Sequence, residues 1–210
     1  MKKRVLGYYD YTVILTYFGM LFAFQGILRA LGEQYGGALV CLMLAGVCDM
    51  FDGAVASTKD RTPNEKKFGI QIDSLSDLIS FGVLPGVFVY VICGGKTTIG
   101  LVSSAFVLCA LIRLAFFNVL EEERQSQTTE KRKSYMGVPV TTIAVLLPLV
   151  YMLYDYNVFK NVICFPILLV AMGIGFLSNI EIKKPGTVGK ICIIILGILE
   201  IAGIIMMIRK

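Results

Sequence analysis

Long apolar runs separated by short polar segments dominate this chain. Seven of the runs approach the roughly 20 residues that a helix needs to cross a bilayer. They lie near residues 12–31, 37–57, 70–92, 97–118, 138–155, 159–178 and 188–208. Of the 210 residues, 56% are hydrophobic and 17% are charged, which is too apolar for a soluble domain of this size. The pattern predicts an all-α polytopic transmembrane helical bundle of about seven spans, forming a single membrane domain over residues 1–210.

Basic residues are distributed unequally between the polar segments. When these segments are assigned alternately to the two sides of a membrane, one side carries fourteen Lys and Arg residues and the other carries five. By the positive-inside rule, the N-terminus and the loop after the second span are predicted to face the cytoplasm across the cytoplasmic membrane. Topology and anionic headgroups then explain the formal net charge of +5, so no nucleic-acid partner is expected. The first run lacks a following cleavage site and is expected to remain as a span.

Four acidic residues interrupt the second and third apolar runs: Asp49 and Asp52, then Asp73 and Asp77. A carboxylate at membrane depth is costly unless it is paired, hydrated or bound to a cation. Spacings of three and four residues place each pair on one face of its helix. In an antiparallel hairpin around a polar loop near residues 59–67, Asp52 would lie level with Asp73, and Asp49 with Asp77. Such a cluster needs a cation, and oxygen ligands in a chain without histidine favour Mg²⁺ or Mn²⁺ over zinc.

Three local features predict the shape of the spans. Gly19 and Gly26 allow close approach of neighbouring helices, so the first span is expected to pack against the acid-bearing helices. Pro85 is expected to bend the third span. The charged segment from Glu121 to about Gly137 is expected to form a cytoplasmic loop.

The residues around the four acids follow the pattern D-x-x-D-G-x-x-A, then G-x-x-x-D-x-x-x-D. Seven defined positions in this order resemble the signature of the CDP-alcohol phosphotransferases, integral membrane enzymes that move a substituted phosphate from a CDP-linked donor to an alcohol. The resemblance implies a catalytic core over about residues 11–155, with additional C-terminal spans over about 156–210. It also implies an active site at the cytoplasmic end of spans 2 and 3.

The resemblance further implies a role for each motif residue. Two divalent ions, Mg²⁺ or Mn²⁺, would be held chiefly by Asp49, Asp52 and Asp73. Asp77 would share a metal with them and act as the general base for the acceptor hydroxyl. The residues implied to contact the CDP moiety are Asp52, Gly53, Ala56, Ser57 and Gly69.

One position departs from the family pattern. Ser57 stands where the family usually has arginine, and eleven residues separate it from Gly69, which is a longer loop than usual. Lys59 and Arg61 are the candidates for the missing positive charge at the donor phosphates.

Three flanking segments, "DSLSDLISFG", "RLAFFNV" and "YMGVPVT", resemble the phosphatidylserine synthase branch of the family. The implied substrates are CDP-diacylglycerol, held in membrane lipid, and L-serine. Arg113 and Asn118 lie in the second segment, and the resemblance implies that they contact serine or a phosphate.

Other functions remain open at this point. The acid motif does not encode the acceptor, so phosphatidylglycerophosphate or phosphatidylinositol-phosphate synthesis is the main alternative. A divalent-cation transporter belongs to another class, since acids within spans also mark ion pathways. It is less favoured because all four acids lie in one predicted hairpin, without a second copy in the later spans. The sequence leaves open the physiological metal, the acyl preference and whether the chain forms a homodimer.

Overall fold

The computed structural model describes residues 7–127, 134–183 and 186–208. A 3₁₀ turn, Tyr11–Val13, leads into the helices, and a second one, Val140–Thr142, precedes α6. The helices are α1 (Ile14–Leu31), α2 (Tyr35–Ala56), α3 (Pro63–Asp77), a π-helical segment (Leu78–Val83), α4 (Leu84–Ile92), α5 (Thr97–Gln127), α6 (Ile143–Asp155), α7 (Cys164–Leu177) and α8 (Thr187–Ile208). Two short strands, β1 (Ser134–Met136) and β2 (Glu181–Lys183), pair antiparallel with Tyr135 opposite Ile182.

Seven helical segments correspond to the seven predicted spans. Four of them are long and apolar enough to cross a membrane: Tyr11–Leu31, Tyr35–Ala56, Pro63–Ile92 and Thr97–Arg124. Three shorter apolar helices follow within the described residues: Val140–Asp155, Cys164–Leu177 and Ile194–Ile208. The prediction of an all-α polytopic bundle is confirmed, and the chain is an integral membrane protein.

The third span begins earlier than predicted. The Thr62 hydroxyl accepts a hydrogen bond from the Glu65 backbone N–H (3.3 Å), and the Glu65 carboxylate accepts one from the Thr62 N–H (2.8 Å). This reciprocal cap satisfies N–H groups that have no partner in the first helical turn, and Pro63 is favoured at that position. The polar loop therefore ends at Thr62, and its predicted extent over residues 59–67 is wrong.

The fourth span also continues beyond its predicted end. Helix α5 runs to Gln127, whereas the sequence predicted a loop from Glu121. The Arg124 side chain donates to both carboxylate oxygens of Glu121, at 3.0 and 2.5 Å, one helical turn away. An ion pair at this spacing supports the helical conformation, so the predicted loop start is wrong.

The helix changes pitch where Pro85 was expected to bend it. Leu78–Val83 is π-helical, and the Leu84 N–H bonds to the carbonyl of Ile79, five residues back. Proline has no N–H to donate and clashes with the preceding turn of an α-helix, and a wider turn accommodates both properties. The segment brings three consecutive residues, Ser80 to Gly82, into the interior directly after the acid-bearing turn.

Helix α1 is the central packing partner of the acid-bearing helices. It packs along α2 and also contacts α3, the π-helical segment and α4. Its buried face has small residues at intervals of three and four: Thr16, Gly19, Ala23, Gly26 and Ala30. A Cβ added at Gly26 would lie 2.8 Å from the Leu84 side chain and 3.0 Å from the Cys41 Cβ, which shows how closely the helices approach. The predicted packing of the first span is therefore confirmed.

Helices α2 and α3 each pack more extensively against α1 than against each other, so α1 lies between the two arms of the predicted hairpin over much of their length. The C-terminal helices pack onto the earlier ones, with α7 against α5, and α8 against α2 and α6. Phe88 links these layers through edge contacts with Tyr35, Tyr151 and Phe165, at ring-centroid distances of 5.6 to 6.2 Å. This packing holds the three helices around the acids in a fixed arrangement.

Candidate metal centre and active site

Three of the four predicted acids meet at one point. One carboxylate oxygen from each of Asp49, Asp52 and Asp73 lies within 4.8 Å of the other two. Asp77 lines the same cleft, which has a volume of about 10 Å³, but it is outside this group of three. The spacing of the motif thus brings residues from two helices together, while the position of Asp77 as a metal ligand and base stays a prediction.

The donor set fits a hard divalent cation. Carboxylate oxygens are the ligands that Mg²⁺ and Mn²⁺ prefer, and the chain contains no histidine. In the part of the chain that the structure describes, none of the four acids forms an ion pair with Lys or Arg. Several carboxylates so close together cannot all ionise without a compensating positive charge, and this charge is what a metal would supply.

The end of α2 is open beside the acids. A Cβ added at Gly53 would meet nothing within 4 Å, so this face of the helix has room for a ligand. Ala56 ends the helix, and the Ser57 hydroxyl donates to the Ala54 carbonyl at 2.7 Å. Ser57 therefore bonds to its own helix end, while Gly53 and Ala56 leave the adjacent surface without bulky side chains.

Arg61 lies over the corresponding face of α3. A Cβ added at Gly69 would lie 2.8 Å from the Arg61 Nη1, so the guanidinium rests against this glycine. Gly69 is one helical turn from Asp73 on the same face of α3. The structure thus places a guanidinium against α3 about one helical turn from Asp73.

Lys59 has a different environment. Its Nζ lies 2.7 Å from Asp10 Oδ2 and 3.3 Å from Glu65 Oε1. The hydrogen bond from Lys59 lowers the pKa of Asp10 from 3.8 to about 2, and the bond to Asp10 raises the pKa of Lys59. Nearby, Tyr11 and Thr58 share a hydrogen bond of 3.2 Å. Lys59 therefore ties the N-terminal segment to the loop between α2 and α3.

Arg113 does not reach the acid cleft in this structure. It is buried, and its Nη1 donates to the carbonyls of Met136 (2.6 Å) and Phe176 (3.2 Å), while Nη2 donates to that of Gly137 (3.4 Å). Gly137 has a φ of +70°, and a Cβ there would lie 2.7 Å from Nη1, so glycine suits this position on both counts. The guanidinium joins the end of β1 and the residue after it to the last turn of α7. Its predicted contact with serine or phosphate stays a prediction.

Asn118 lies at another face of α3. It accepts a hydrogen bond from the Ser74 hydroxyl (2.7 Å) and donates one to Gln71 Oε1 (3.4 Å). These polar groups border a groove of about 330 Å³ between α3 and α5, whose other walls include Leu75 and Leu111. Asn118 is therefore not brought to the acids, and its predicted substrate contact also stays a prediction.

Sequence reasoning missed two polar side chains that border the cleft, those of Thr16 and Ser76. The Thr16 hydroxyl of α1 donates to Asp52 Oδ2 at 3.2 Å. The only signal in the sequence is that Thr16 continues the spacing of Gly19 and Gly26, which marks the face of α1 that packs most closely.

The chain is similar to a family of known proteins along nearly its whole length. The CDP-alcohol phosphatidyltransferase family model matches residues 11–208. CDP-diacylglycerol–serine O-phosphatidyltransferase of Saccharomyces cerevisiae is 35% identical over 166 residues, which cover 76% of this chain and 59% of the yeast protein. Archaetidylserine synthase of Methanothermobacter thermautotrophicus is 28% identical over 188 residues, covering 89% of this chain and 75% of that protein.

A CDP-diacylglycerol–serine O-phosphatidyltransferase of Helicobacter pylori is 32% identical over 178 residues, covering 82% of this chain and 71% of that protein. The chain thus spans less than two thirds of the yeast relative's length and more than two thirds of the other two. The family match covers nearly the whole chain and includes all four acids. The chain belongs to the CDP-alcohol phosphatidyltransferase family.

Proposed function

We propose that this protein transfers the phosphatidyl group of CDP-diacylglycerol to the hydroxyl of L-serine, releasing CMP. The observation that carries the proposal is the convergence of carboxylate oxygens from Asp49, Asp52 and Asp73 without a basic partner in the described chain. Serine as the acceptor is supported by the names of the three relatives. Two are named CDP-diacylglycerol–serine O-phosphatidyltransferase, and the third is named archaetidylserine synthase.

The three converging acids are the proposed ligands of two divalent ions, Mg²⁺ or Mn²⁺, with Asp77 as a further ligand. When bound, such ions neutralise the donor diphosphate and stabilise the leaving CMP. Asp77 borders the same cleft, where its carboxylate would accept the proton from the serine hydroxyl. The serine oxygen then forms its bond to the phosphatidyl phosphorus as the bond from that phosphorus to the CMP oxygen breaks.

The CDP moiety would lie against the open end of α2 and the facing turn of α3. Gly53 and Ala56 offer a surface without bulky side chains, and Gly69 is the corresponding small residue on α3. The donor's acyl chains would remain in the surrounding lipid. Because Ser57 carries no charge and bonds to its own helix end, the donor phosphates need a cation from elsewhere.

Arg61 is a better candidate than Lys59 for the cation that the donor phosphates need. Its guanidinium lies one turn from Asp73, and it forms no ion pair within the described chain, whereas Lys59 already bonds to two carboxylates. A guanidinium also matches the geometry of phosphate oxygens. Arg61→Gln should raise the KM for CDP-diacylglycerol about tenfold while changing kcat little, by loss of a charge-assisted hydrogen bond. Lys59→Gln is the matched control, and an equal rise in its KM would contradict the assignment.

The acid cleft would face the cytoplasm of the cytoplasmic membrane. The proposal is supported by the excess of Lys and Arg on the side that includes the loop between α2 and α3. Part of that count, residues 2–4, 131–133 and 184, lies outside the described residues. A cysteine introduced in place of Ser57 should react with a membrane-impermeant thiol reagent in inverted vesicles only. Labelling from the periplasmic side would reverse the orientation.

The function is tested by measuring CMP release from purified protein in detergent. CDP-diacylglycerol is supplied with Mg²⁺ or Mn²⁺, and with L-serine, glycerol phosphate or inositol phosphate in turn. We expect release with serine, none after chelation of the metal, and none from Asp73→Asn. CMP release with glycerol phosphate but not with serine would overturn the assignment of serine as the acceptor and leave the reaction class intact. Divalent-cation flux in liposomes without any CDP-lipid turnover would favour a transporter instead.

A further inference from the structure

Helix α1 supplies a side chain to the acid cleft that the acid motif does not contain. The Thr16 hydroxyl donates to Asp52 Oδ2 at 3.2 Å, and the Thr16 carbonyl accepts a hydrogen bond from the Ser76 hydroxyl, also at 3.2 Å. One residue of α1 is thereby bonded to α2 through its side chain and to α3 through its backbone. Both Thr16 and Ser76 border the cleft.

The direction of the Thr16 hydroxyl is informative. Threonine within a helix can donate to a backbone carbonyl three or four residues earlier in its own helix. Thr16, which is 7% exposed, instead directs its donor to Asp52. The close approach of the helices makes this possible, since a Cβ added at Gly19 would lie 3.4 Å from the Cys48 Cβ.

We propose that Thr16 is a positioning residue for Asp52, and this inference rests on the proposed function of the acid cleft. Its hydrogen bond fixes the rotation of the Asp52 carboxylate, so that the ligand set is oriented before a cation binds. Outer groups that hydrogen-bond to a ligating carboxylate change metal affinity or activity about 10- to 100-fold when they are removed. The bond between Ser76 and the Thr16 carbonyl holds α1 at the required height along α3.

The test measures Mn²⁺ binding to the purified full chain in detergent by electron paramagnetic resonance. Thr16→Val removes the hydroxyl and keeps the shape, and we expect it to raise the Mn²⁺ Kd about tenfold or more. Thr16→Ser keeps the hydroxyl and should bind Mn²⁺ as the wild type does. Thr16→Ala is a second variant without the hydroxyl and should match Thr16→Val. In Thr16→Val and Thr16→Ala, saturating Mn²⁺ should largely restore kcat, because the ligands themselves remain.

Thr12→Val provides a matched control. Thr12 is a buried threonine one turn earlier, and it hydrogen-bonds to Asp10 outside the cleft. Its substitution should leave the Mn²⁺ Kd unchanged. Equal affinity in the wild type and Thr16→Val would overturn the role of Thr16, as would an equal loss in Thr12→Val, because affinity would then follow general packing. A wild type that binds no Mn²⁺ would instead refute the proposed metal centre, and the role of Thr16 with it.

Discussion

Arg113 and the acid cleft both bring charged side chains into the interior of the bundle, and their charges are satisfied in opposite ways. Arg113 is surrounded by carbonyl oxygens from two segments of the chain, so the protein itself supplies every partner that the guanidinium uses. In the acid cleft, three carboxylates approach one another and no basic side chain of the described residues pairs with them. We expect a charge that the fold satisfies to serve the structure, and a cluster of like charges left uncompensated to bind a cation.

The two places therefore differ in what they contribute to stability. Hydrogen bonds from a charged donor contribute about 1.5–3 kcal/mol each, and the Phe176 carbonyl lies in the last turn of α7, where a positive charge is favourable. Grouped carboxylates within a membrane helix bundle destabilise the protein until a cation is bound. Substitutions at the two places should consequently have opposite effects on stability and activity.

The largest effect is expected from loss of a proposed metal ligand. Replacing Asp49, Asp52 or Asp73 by Asn should lower CMP release by a factor on the order of 10³ or more, because charge neutralisation at the donor diphosphate is lost. The metal-free variants should remain folded and melt at or above the wild-type temperature, since one repulsive charge is gone. Turnover that persists in any of the three at ordinary metal concentration would contradict the ligand assignment.

Asp77 should separate chemistry from binding. Asp77→Asn removes a proton acceptor while the three converging acids remain, so kcat should fall by a factor on the order of 10²–10⁴ with CDP-diacylglycerol binding retained. Single-turnover kinetics and donor binding in detergent would measure the two effects separately. Loss of donor binding along with turnover would make Asp77 a metal ligand first.

Arg113 should behave as a structural residue. Arg113→Met leaves the carbonyls of Met136, Gly137 and Phe176 without this donor, and we expect a loss of roughly 3 kcal/mol or more in the free energy of unfolding. Arg113→Lys retains the charge and should lose less. The loss of stability is measured by thermal melting in detergent, and the KM values for serine and CDP-diacylglycerol are measured on the folded fraction. A rise in the KM for serine alone at an unchanged melting temperature would instead favour the substrate contact implied by the family resemblance.

The smallest effect is expected at the ion pair of Asp10 and Lys59, which lies near the surface and is partly screened by water. The pKa of Asp10 is lower in the folded state than its ordinary value of 3.8, so its ionised carboxylate stabilises the folded state at pH values above 3.8. This contribution is lost as the pH falls from about 4 through 2. The contribution of Lys59, whose pKa is raised, is present at neutral pH and is lost only in strong base. The difference in melting temperature between wild type and Asp10→Asn should therefore shrink as the pH is lowered from 6 to 3. A difference in melting temperature that stays the same over this pH range would show that the ion pair of Asp10 and Lys59 does not stabilise the folded protein.

The sequence predicted the features that depend on local spacing. The length of the apolar runs predicted the helices, and the intervals between the acids placed them on shared faces. The start of α3 is also encoded locally, because Thr62, Pro63 and Glu65 form a helix cap, whereas the apolar pattern begins only near residue 70.

Features that depend on tertiary packing were not predictable in the same way. Whether a hydroxyl in α1 reaches Asp52, or a guanidinium in α5 finds carbonyls near β1 and α7, is decided by contacts between residues 23 to 63 positions apart. The hydrogen-bond partners of Arg113 are backbone atoms, which leave no pattern of side chains in the sequence.

The contrast between the acid cleft and the surroundings of Arg113 is tested most directly by measuring how a metal ion changes the stability of the protein. The melting temperature of the purified protein is measured as Mn²⁺ is titrated into the wild type, Asp73→Asn and Arg113→Lys. A ligand that binds only the folded state raises its stability by mass action, so the wild type and Arg113→Lys should gain equally with added Mn²⁺, and Asp73→Asn should gain little. A gain in Asp73→Asn as large as in the wild type would show that the acid cleft is not the metal centre.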